Sequence, residues 1–496
     1  MLPVKLDSSI PEFAYRADTV RKNEPVVAKQ QGVSMYALMQ AAGQSSFNLM
    51  RHLWSDASTV LVVCGSGNNA GDGFVLATQA LKQGMAVYVH SVCAINDYCG
   101  DAARACQHFL AAGGMLSKIC DVDFQRVDVV IDALLGTGIT GTVREHYQYL
   151  IKLVNQLPIP ILSLDIPSGL NADSGQVMGI CVRASATVTF IALKQGLLTG
   201  QSKNYCGDMY FAGLRMERAF GLLVPPDVKV IGAGNTALVS RALASHKGDS
   251  GTVLVVGGNK GMSGAVRLAA TAAYRSGAGL VMIDCHPSVS SVVASSIAEA
   301  ILVDVTHNDE ATRKLLAKVN SICLGPGLGR DVYANARMNL LAFDTPVVVD
   351  ADALSLLANK PISRDNWVLT PHPKEAATLL SCDVGDVQAD RVASAKAIAV
   401  KYNAICVLKG AGSVITDGQQ VAINTSGNPG MAVAGMGDVL AGIISALSLQ
   451  STSLFDAVCC AVYLHGRAAD MAAVDGVKGM LPSDLMVYIR QLVNQY

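Results

Sequence analysis

Short runs of Val, Ile, Leu and Ala recur along this chain, separated by alanine-rich stretches in which polar residues return at helical spacing. In the first half the apolar runs fall at residues 59–64, 86–92, 127–132, 159–165 and 186–191, with helical patterns at 75–83 and 101–112 between them. Strands that are apolar on both faces and alternate with helices belong in a parallel sheet covered on both sides. The pattern therefore predicts a three-layer α/β/α sandwich. Two of the runs end in an acid, Asp132 and Asp165, followed by a glycine-containing loop. Ligands of such sheets bind at the carboxyl ends of the strands, so both acids stand where chemistry is done.

The pattern weakens over residues 214–247, where Pro225 and Pro226 and the polar stretch 245–251 mark a boundary. A second series of apolar runs then follows, at 252–256, 280–284, 321–324, 346–350, 367–370 and 404–408. It predicts a second α/β domain and is not an obvious repeat of the first. The expected domains are residues 1–220 and 225–496. Near the end, residues 430–447 read as a glycine-rich loop entering an apolar helix.

Composition narrows the class. The chain has 496 residues, and single cores stop growing at roughly 250–300, which agrees with a division into domains. Mean hydropathy is high at +0.36, yet no apolar run reaches the roughly 18 residues that a membrane span needs. Residues 1–11 lack the apolar core of a signal peptide, so a cytoplasmic protein is expected. A net charge of −1 supplies no field for nucleic acid. The thirteen cysteines form no CxxC pair, which argues against structural zinc and for small buried hydrophobes in a reducing compartment. There is no HExxH and no GxxxxGK[ST] phosphate loop.

The run 59–64 leads into GSGNNAGDG, residues 65–73, and then a helix. Glycines permit close backbone approach, and a helix start offers free N–H groups to phosphate. A plain tight turn would need neither the two amides Asn68 and Asn69 nor the acid Asp72. A dinucleotide redox fold would want an acid at the end of the next strand to hold the ribose. That strand ends in His90 and Ser91, so hydride transfer is disfavoured.

GSGNNAGDG resembles the GxGNNGGDG signature of the YjeF N-terminal family of NAD(P)HX epimerases. The likeness continues in LMQAAG (38–43), DALLGTG (132–138) and DIPSGLN (165–171). It departs at Ala70, usually Gly, and at Gln40, commonly an acid. The resemblance implies a Rossmann-like sandwich that interconverts the R and S hydrates NADHX and NADPHX. It implies nucleotide-binding roles for Asn68, Asn69, Ala70, Gly71 and Asp72, and for Gly136, Thr137, Gly138, Ile139, Thr140, Gly141 and Thr142. Asp165 would bind substrate and act as the catalytic acid/base, with Asn69, Asp132 and Ser168 ligating K+. All three can supply oxygen to a hard cation. Read without the resemblance, Asp132 and Asp165 could equally cap or brace the turns after their strands, and Asp72 would be held by backbone amides of its loop.

In the second half, Gly435, Gly437 and Asp438 form GxGD just before an apolar helix, downstream of Asn428-Pro429-Gly430. Amides at a helix start stabilise developing negative charge, and a carboxylate beside them can take a hydroxyl proton. Those are the needs of phosphoryl transfer, whereas a simple helix cap would not call for the upstream motif. This part resembles the ribokinase-like YjeF C-terminal family of ADP-dependent NAD(P)H-hydrate dehydratases. The likeness rests on GNKGMSGA (258–265), RSGAGL (275–280), GPGLG (325–329), DADAL (350–354), TPHPKE (370–375) and KGAGS (409–413). It departs at Ala434, where Gly is common. It implies that Lys409, Gly410, Ala411, Gly412, Ser413 and Gly437 bind the adenine nucleotide. Ala265, Gly327, His372 and Asp438 would face the hydrated cofactor, with Asp438 the base.

Together the two resemblances imply dehydration of S-NAD(P)HX to NAD(P)H at the expense of ADP with Mg2+, giving AMP and phosphate, after epimerisation of the R form. The expected partners are small molecules only, with neither nucleic acid nor membrane, and a homo-oligomer is expected. The rival is a ribokinase-like small-molecule kinase with a non-catalytic N-terminal binding domain.

Overall fold

The computed structural model describes residues 2–6, 10–233, 238, 241–305, 309–451 and 453–495. The chain divides into two compact units, 1–229 and 230–496. The first ten strands are β1 (Val4–Lys5), β2 (Phe13–Tyr15), β3 (Thr59–Cys64), β4 (Ala86–Ser91), β5 (Val129–Ala133), β6 (Ile161–Leu164), β7 (Ala186–Phe190), β8 (Leu193–Lys194), β9 (Asp208–Ala212) and β10 (Val228–Ile231).

The main sheet of the first unit has the order β1-β9-β7-β6-β5-β3-β4. It is parallel from β4 to β9, and β1 closes it antiparallel to β9. The strands alternate between two apolar layers. In β3, Val60, Val62 and Cys64 join the core under helices Met35–Leu53, Asn68–Lys82 and Gly100–Ala111. Leu61 and Val63 join the opposite core with Tyr147, Leu150, Ile151 and Val154 of helix Glu145–Gln156. Each such Val or Leu gains about 1.5–3 kcal/mol by burial, and the two layers make the expected sandwich.

The remaining strands are β11 (Thr252–Gly257), β12 (Leu280–Cys285), β13 (Ile301–Leu302), β14 (Ser321–Leu324), β15 (Val347–Val349), β16 (Trp367–Leu369), β17 (Ile405–Leu408), β18 (Val414–Thr416) and β19 (Val421–Asn424). In the second unit they run β13-β12-β11-β14-β15-β16-β17-β18-β19, parallel as far as β17 and antiparallel beyond it. Helices Ser263–Arg275, Met436–Leu447, Leu454–Ala472 and Leu485–Leu492 share one apolar core with this sheet. Strands β1, β2, β8, β9, β10, β13, β18 and β19 were not among the expected ones. Among the described residues no helix is long and apolar enough to cross a membrane.

Candidate active sites

The first site opens at the carboxyl ends of β3, β5 and β6. The helix after β3 begins at Asn68 with Gly67 as its cap, so the expected loop 65–73 is only 65–67 and the rest is helix. Gly73 serves packing, not a turn: a Cβ there would stand 2.7 Å from Ala133 Cβ on β5. Ala70 is fully buried inside the helix, where a glycine conformation is not required, so the departure from the family signature leaves the backbone intact.

A cleft of about 420 Å³ lies over this helix start. Asn68, Asn69, Asp72, Asp165 and the stretch Gly136 to Ile139 line it, as the sequence expects. Ala70 and Gly71 are buried and do not line it, and Thr140, Gly141 and Thr142 are exposed outside it. Asp72 belongs to the second turn of the helix and faces the cleft, and is not held by loop amides as expected. Burial pushes its carboxyl well above the ordinary range, with Asp165 and Glu24 adding to the shift.

Asp165 directly follows β6 and has φ +63°, a left-handed conformation unusual for a residue with a side chain. Its Oδ1 accepts from Lys194 Nζ at 2.5 Å, Thr189 Oγ1 at 3.2 Å and the Phe190 amide at 3.4 Å. The Lys194 side chain is only 4% exposed and also donates to the Phe190 carbonyl at 3.0 Å. Buried charges persist only when paired, so this lysine fixes the acid and the acid fixes the lysine. Lys194 and Glu24 both line the cleft, and sequence reasoning missed both. Burial raises the Glu24 carboxyl above its usual range, with Lys194 opposing the shift and Asp165 adding to it.

Asn69, Asp132 and Ser168 meet beside the cleft. Asp132 is fully buried and accepts from Ser168 Oγ at 2.5 Å, the Ser168 amide at 2.8 Å, Ser163 Oγ at 2.8 Å and the Leu134 amide at 3.3 Å. Burial raises its pKa, against the pull of these donors. The Leu135 carbonyl accepts from both Asn69 Nδ2 and Ser168 Oγ, each at 3.2 Å. Asn69 Oδ1 is buried without a hydrogen-bond partner. A buried acceptor left bare is costly, which marks this oxygen as a candidate ligand atom.

The second site gathers the loops after β14 to β17 and the start of helix Met436–Leu447. Lys409, just past β17, donates to Asp350 Oδ1 at 2.8 Å and lies 3.8 Å from Glu375 Oε2. Asp350 also accepts from Thr370 Oγ1 at 2.7 Å. Gly437 sits directly above this pair, since a Cβ on it would fall 3.1 Å from Lys409 Nζ and 3.6 Å from Asp350 Oδ2. Asp438 follows in the first helical turn. Burial pushes its carboxyl up to about 7, Asp350 adds to this and Lys409 opposes it. Glu375 is likewise raised to about 7 by burial, with Lys409 opposing. Burial disfavours the Lys409 charge, yet Asp350, Glu375 and Asp438 together hold its pKa above the ordinary value. Buried Arg391 donates to the carbonyls of Leu408 at 3.1 Å and Lys409 at 3.2 Å, bracing the KGAGS loop from beneath.

His372 is partly structural. Its Nδ1 accepts from the amides of Lys374 and Glu375 at 3.1 and 3.2 Å and caps helix Pro373–Leu380, while Glu375 Oε2 accepts the His372 amide at 2.7 Å. This reciprocal box aims Glu375 at Lys409. Ala265 and Gly327 are adjacent, a Cβ on Gly327 lying 3.1 Å from Ala265 Cβ. In the KGAGS loop Gly410 and Gly412 have φ of +145° and +64°, and Ser413 Oγ donates to the Gly410 carbonyl at 3.1 Å.

A phosphate-ready helix start over an acid–lysine pair, and a GxGD helix over a lysine–carboxylate cluster, each at the carboxyl ends of a parallel sheet, define a two-site α/β enzyme. Its second site brings a buried carboxyl and a buried lysine to a helix start, groups of the kind phosphoryl transfer uses. The family described as YjeF-related protein N-terminus matches residues 35–196, and that described as NAD(P)H-hydrate dehydratase matches 253–491. The bifunctional NAD(P)H-hydrate repair enzyme of Coxiella burnetii is 40% identical over 97% of this chain and 99% of its own. That of Escherichia coli is 38% identical over 98% of this chain and 95% of its own. A solved ribokinase-like superfamily protein from Enterococcus faecalis covers 54% of this chain and 96% of its own, with a TM-score of 0.50 and 25% identity. The chain belongs to the family of bifunctional NAD(P)H-hydrate repair enzymes.

Proposed function

We propose that residues 1–220 interconvert the R and S epimers of NADHX and NADPHX, and that residues 225–496 dehydrate the S epimer with ADP. The observation that carries this reading is the presence of two separate acid–lysine sites in one chain: Asp165 paired with Lys194, and Asp438 in a helix start whose Gly437 overhangs Lys409. In the second site Asp438 takes the proton of the C6 hydroxyl, whose oxygen attacks the β-phosphorus of ADP and releases AMP. Lys409 and the amides at the helix start offset the negative charge that builds on the phosphoryl oxygens. Phosphate then departs with the C6–O bond, a proton leaves C5, and the ring double bond returns. Each NADH recovered is expected to be matched by one AMP and one phosphate. A stable phosphorylated hydrate in the mass spectrum would instead mean that this part stops as a kinase.

Among the described residues no group of three or more His, Cys, Asp or Glu side chains converges to hold a metal. Mg2+ characteristically binds through phosphates and one or two carboxylates, so it is expected to enter with ADP. In the first site the donors suit K+: all are oxygens, and Asn69 Oδ1 is buried and unpartnered. A monovalent cation held by Asn69, Asp132 and Ser168 would supply positive charge beside the nucleotide. Rubidium or thallium soaking is expected to give an anomalous peak among these three side chains, and a water there would count against the cation. All thirteen cysteines are free, which supports a reducing, cytoplasmic setting.

A further inference from the structure

Epimerisation at C6 by loss and return of the hydroxyl needs two proton transfers. One group protonates the departing oxygen as the N1 lone pair forms the N1–C6 double bond, so the oxygen leaves as water. Another takes a proton from the water that attacks C6 from the opposite face, and the C6–N1 π electrons return to N1. Asp165 is poorly placed to do both. Three donors hold its Oδ1, one of them a buried lysine, and its backbone is fixed in a left-handed conformation.

Helix Ala17–Gln30 brings a second carboxyl to the same cleft. Val20, Arg21 and Glu24 line it, at a spacing that places them on one helical face. The helix is anchored: Val20, Val27 and Ala28 are buried, and the Ala17 amide donates to Asp173 Oδ1 at 2.7 Å. The Asn69 helix and the β6 end form other parts of the wall, so Glu24 reaches the cleft from a different element than Asp165. This helix lies outside residues 35–196, where the family likeness is recognised.

We propose that Glu24 is the second acid–base group of the epimerase cleft, acting on the oxygen that Asp165 does not. The inference rests on the role given to Asp165 above. Among the described residues no hydrogen bond or ion pair involving the Glu24 side chain is seen, so its carboxyl is not committed as Asp165 Oδ1 is, and burial keeps it easier to protonate than usual. The other charged groups facing this cleft are Arg21, Asp72, Asp101 and Lys194.

The test compares Glu24→Gln, Glu24→Asp, Asp72→Asn and Asp165→Asn in the full chain, measuring R-to-S interconversion of NADHX in 18O-labelled water. Glu24→Gln is expected to lower kcat for epimerisation by about 10²-fold or more with KM unchanged. It should remove one limb of the pH profile and leave ADP-dependent dehydration of the S epimer normal, and Glu24→Asp should restore part of the rate. The epimerised product should carry one solvent oxygen. A Glu24→Gln enzyme within about threefold of the parent, a loss seen in Asp72→Asn instead, a change confined to KM, or product without solvent oxygen would each overturn the proposal. Loss in Glu24→Gln with full activity in Asp165→Asn would overturn the role of Asp165 instead, and leave Glu24 as an acid–base group.

Discussion

Asp438→Asn is expected to lower dehydration by about 10²–10⁴-fold while R and S hydrates still interconvert at the parental rate. The substitution keeps the shape of the side chain and removes only its capacity to take a proton. Asp438 lies in the second unit, in the first turn of a helix whose glycine start overhangs Lys409 and Asp350. Its carboxyl is pushed up to about 7, by burial first and by Asp350 next. A base works only when deprotonated, so dehydration by the parent enzyme should rise as pH climbs through about 7 and level off above it. Glu375 is also raised to about 7, which makes the variant the discriminating experiment. If Glu375 were the base, Asp438→Asn would keep both the rate and the pH limb. Chromatographic assay of NADH recovery and of the two epimers on one preparation reads both activities together.

Asp165→Ala carries the second large effect. It is expected to stop epimerisation, again by about 10²–10⁴-fold, and to spare dehydration of the S epimer. A mixed sample should then be repaired only to the share of S hydrate present at the start, plus whatever spontaneous epimerisation supplies in a no-enzyme control. The substitution also leaves Lys194 buried without its carboxylate, since this side chain is only 4% exposed. An unpaired buried charge is strongly destabilising, so loss of activity alone is ambiguous. Asp165→Asn keeps a hydrogen-bond acceptor for Lys194 and separates the two causes. A catalytic role predicts that the Asn variant melts close to the parent and still fails to interconvert the epimers. Normal consumption of both epimers by either variant would end the assignment.

Much of this arrangement is legible in the amino-acid order, for reasons that can be stated. β3 and β11 read clearly because a strand buried on both faces is apolar at every position, and TVLVVC and TVLVVG admit no helical stripe. Asp132, Asp165 and Asp438 stand out as acids at strand or helix ends. β9 escaped because Asp208 opens it at an exposed position and only part of the strand is buried. β18 and β19 escaped because they are short antiparallel additions beyond the regular strand–helix alternation.

The missed site residues differ in kind. Lys194 left a signal, as the only charged residue between Ala186 and Thr199, a stretch otherwise apolar or neutral. A lysine in such surroundings must find a carboxylate. Glu24 left none: it stands among Arg21, Lys22 and Asn23 and before Pro25, which together read as a solvated segment. Only the fold shows that this face of the helix closes a cleft. Asp350 and Glu375 were visible within their motifs, but their convergence on Lys409 depends on strands β15, β16 and β17 lying side by side.

One chain is expected to perform both repairs, which is tested by supplying purified S-NADHX and R-NADHX separately, with and without ADP and Mg2+, and following the return of NADH absorbance. Full recovery is expected from either epimer when ADP is present. Without ADP no recovery is expected, yet each epimer should become a mixture of both. Recovery from S-NADHX alone, with R-NADHX untouched beyond the spontaneous rate, would contradict the epimerase half. Interconversion without any ADP-dependent NADH would contradict the dehydratase half.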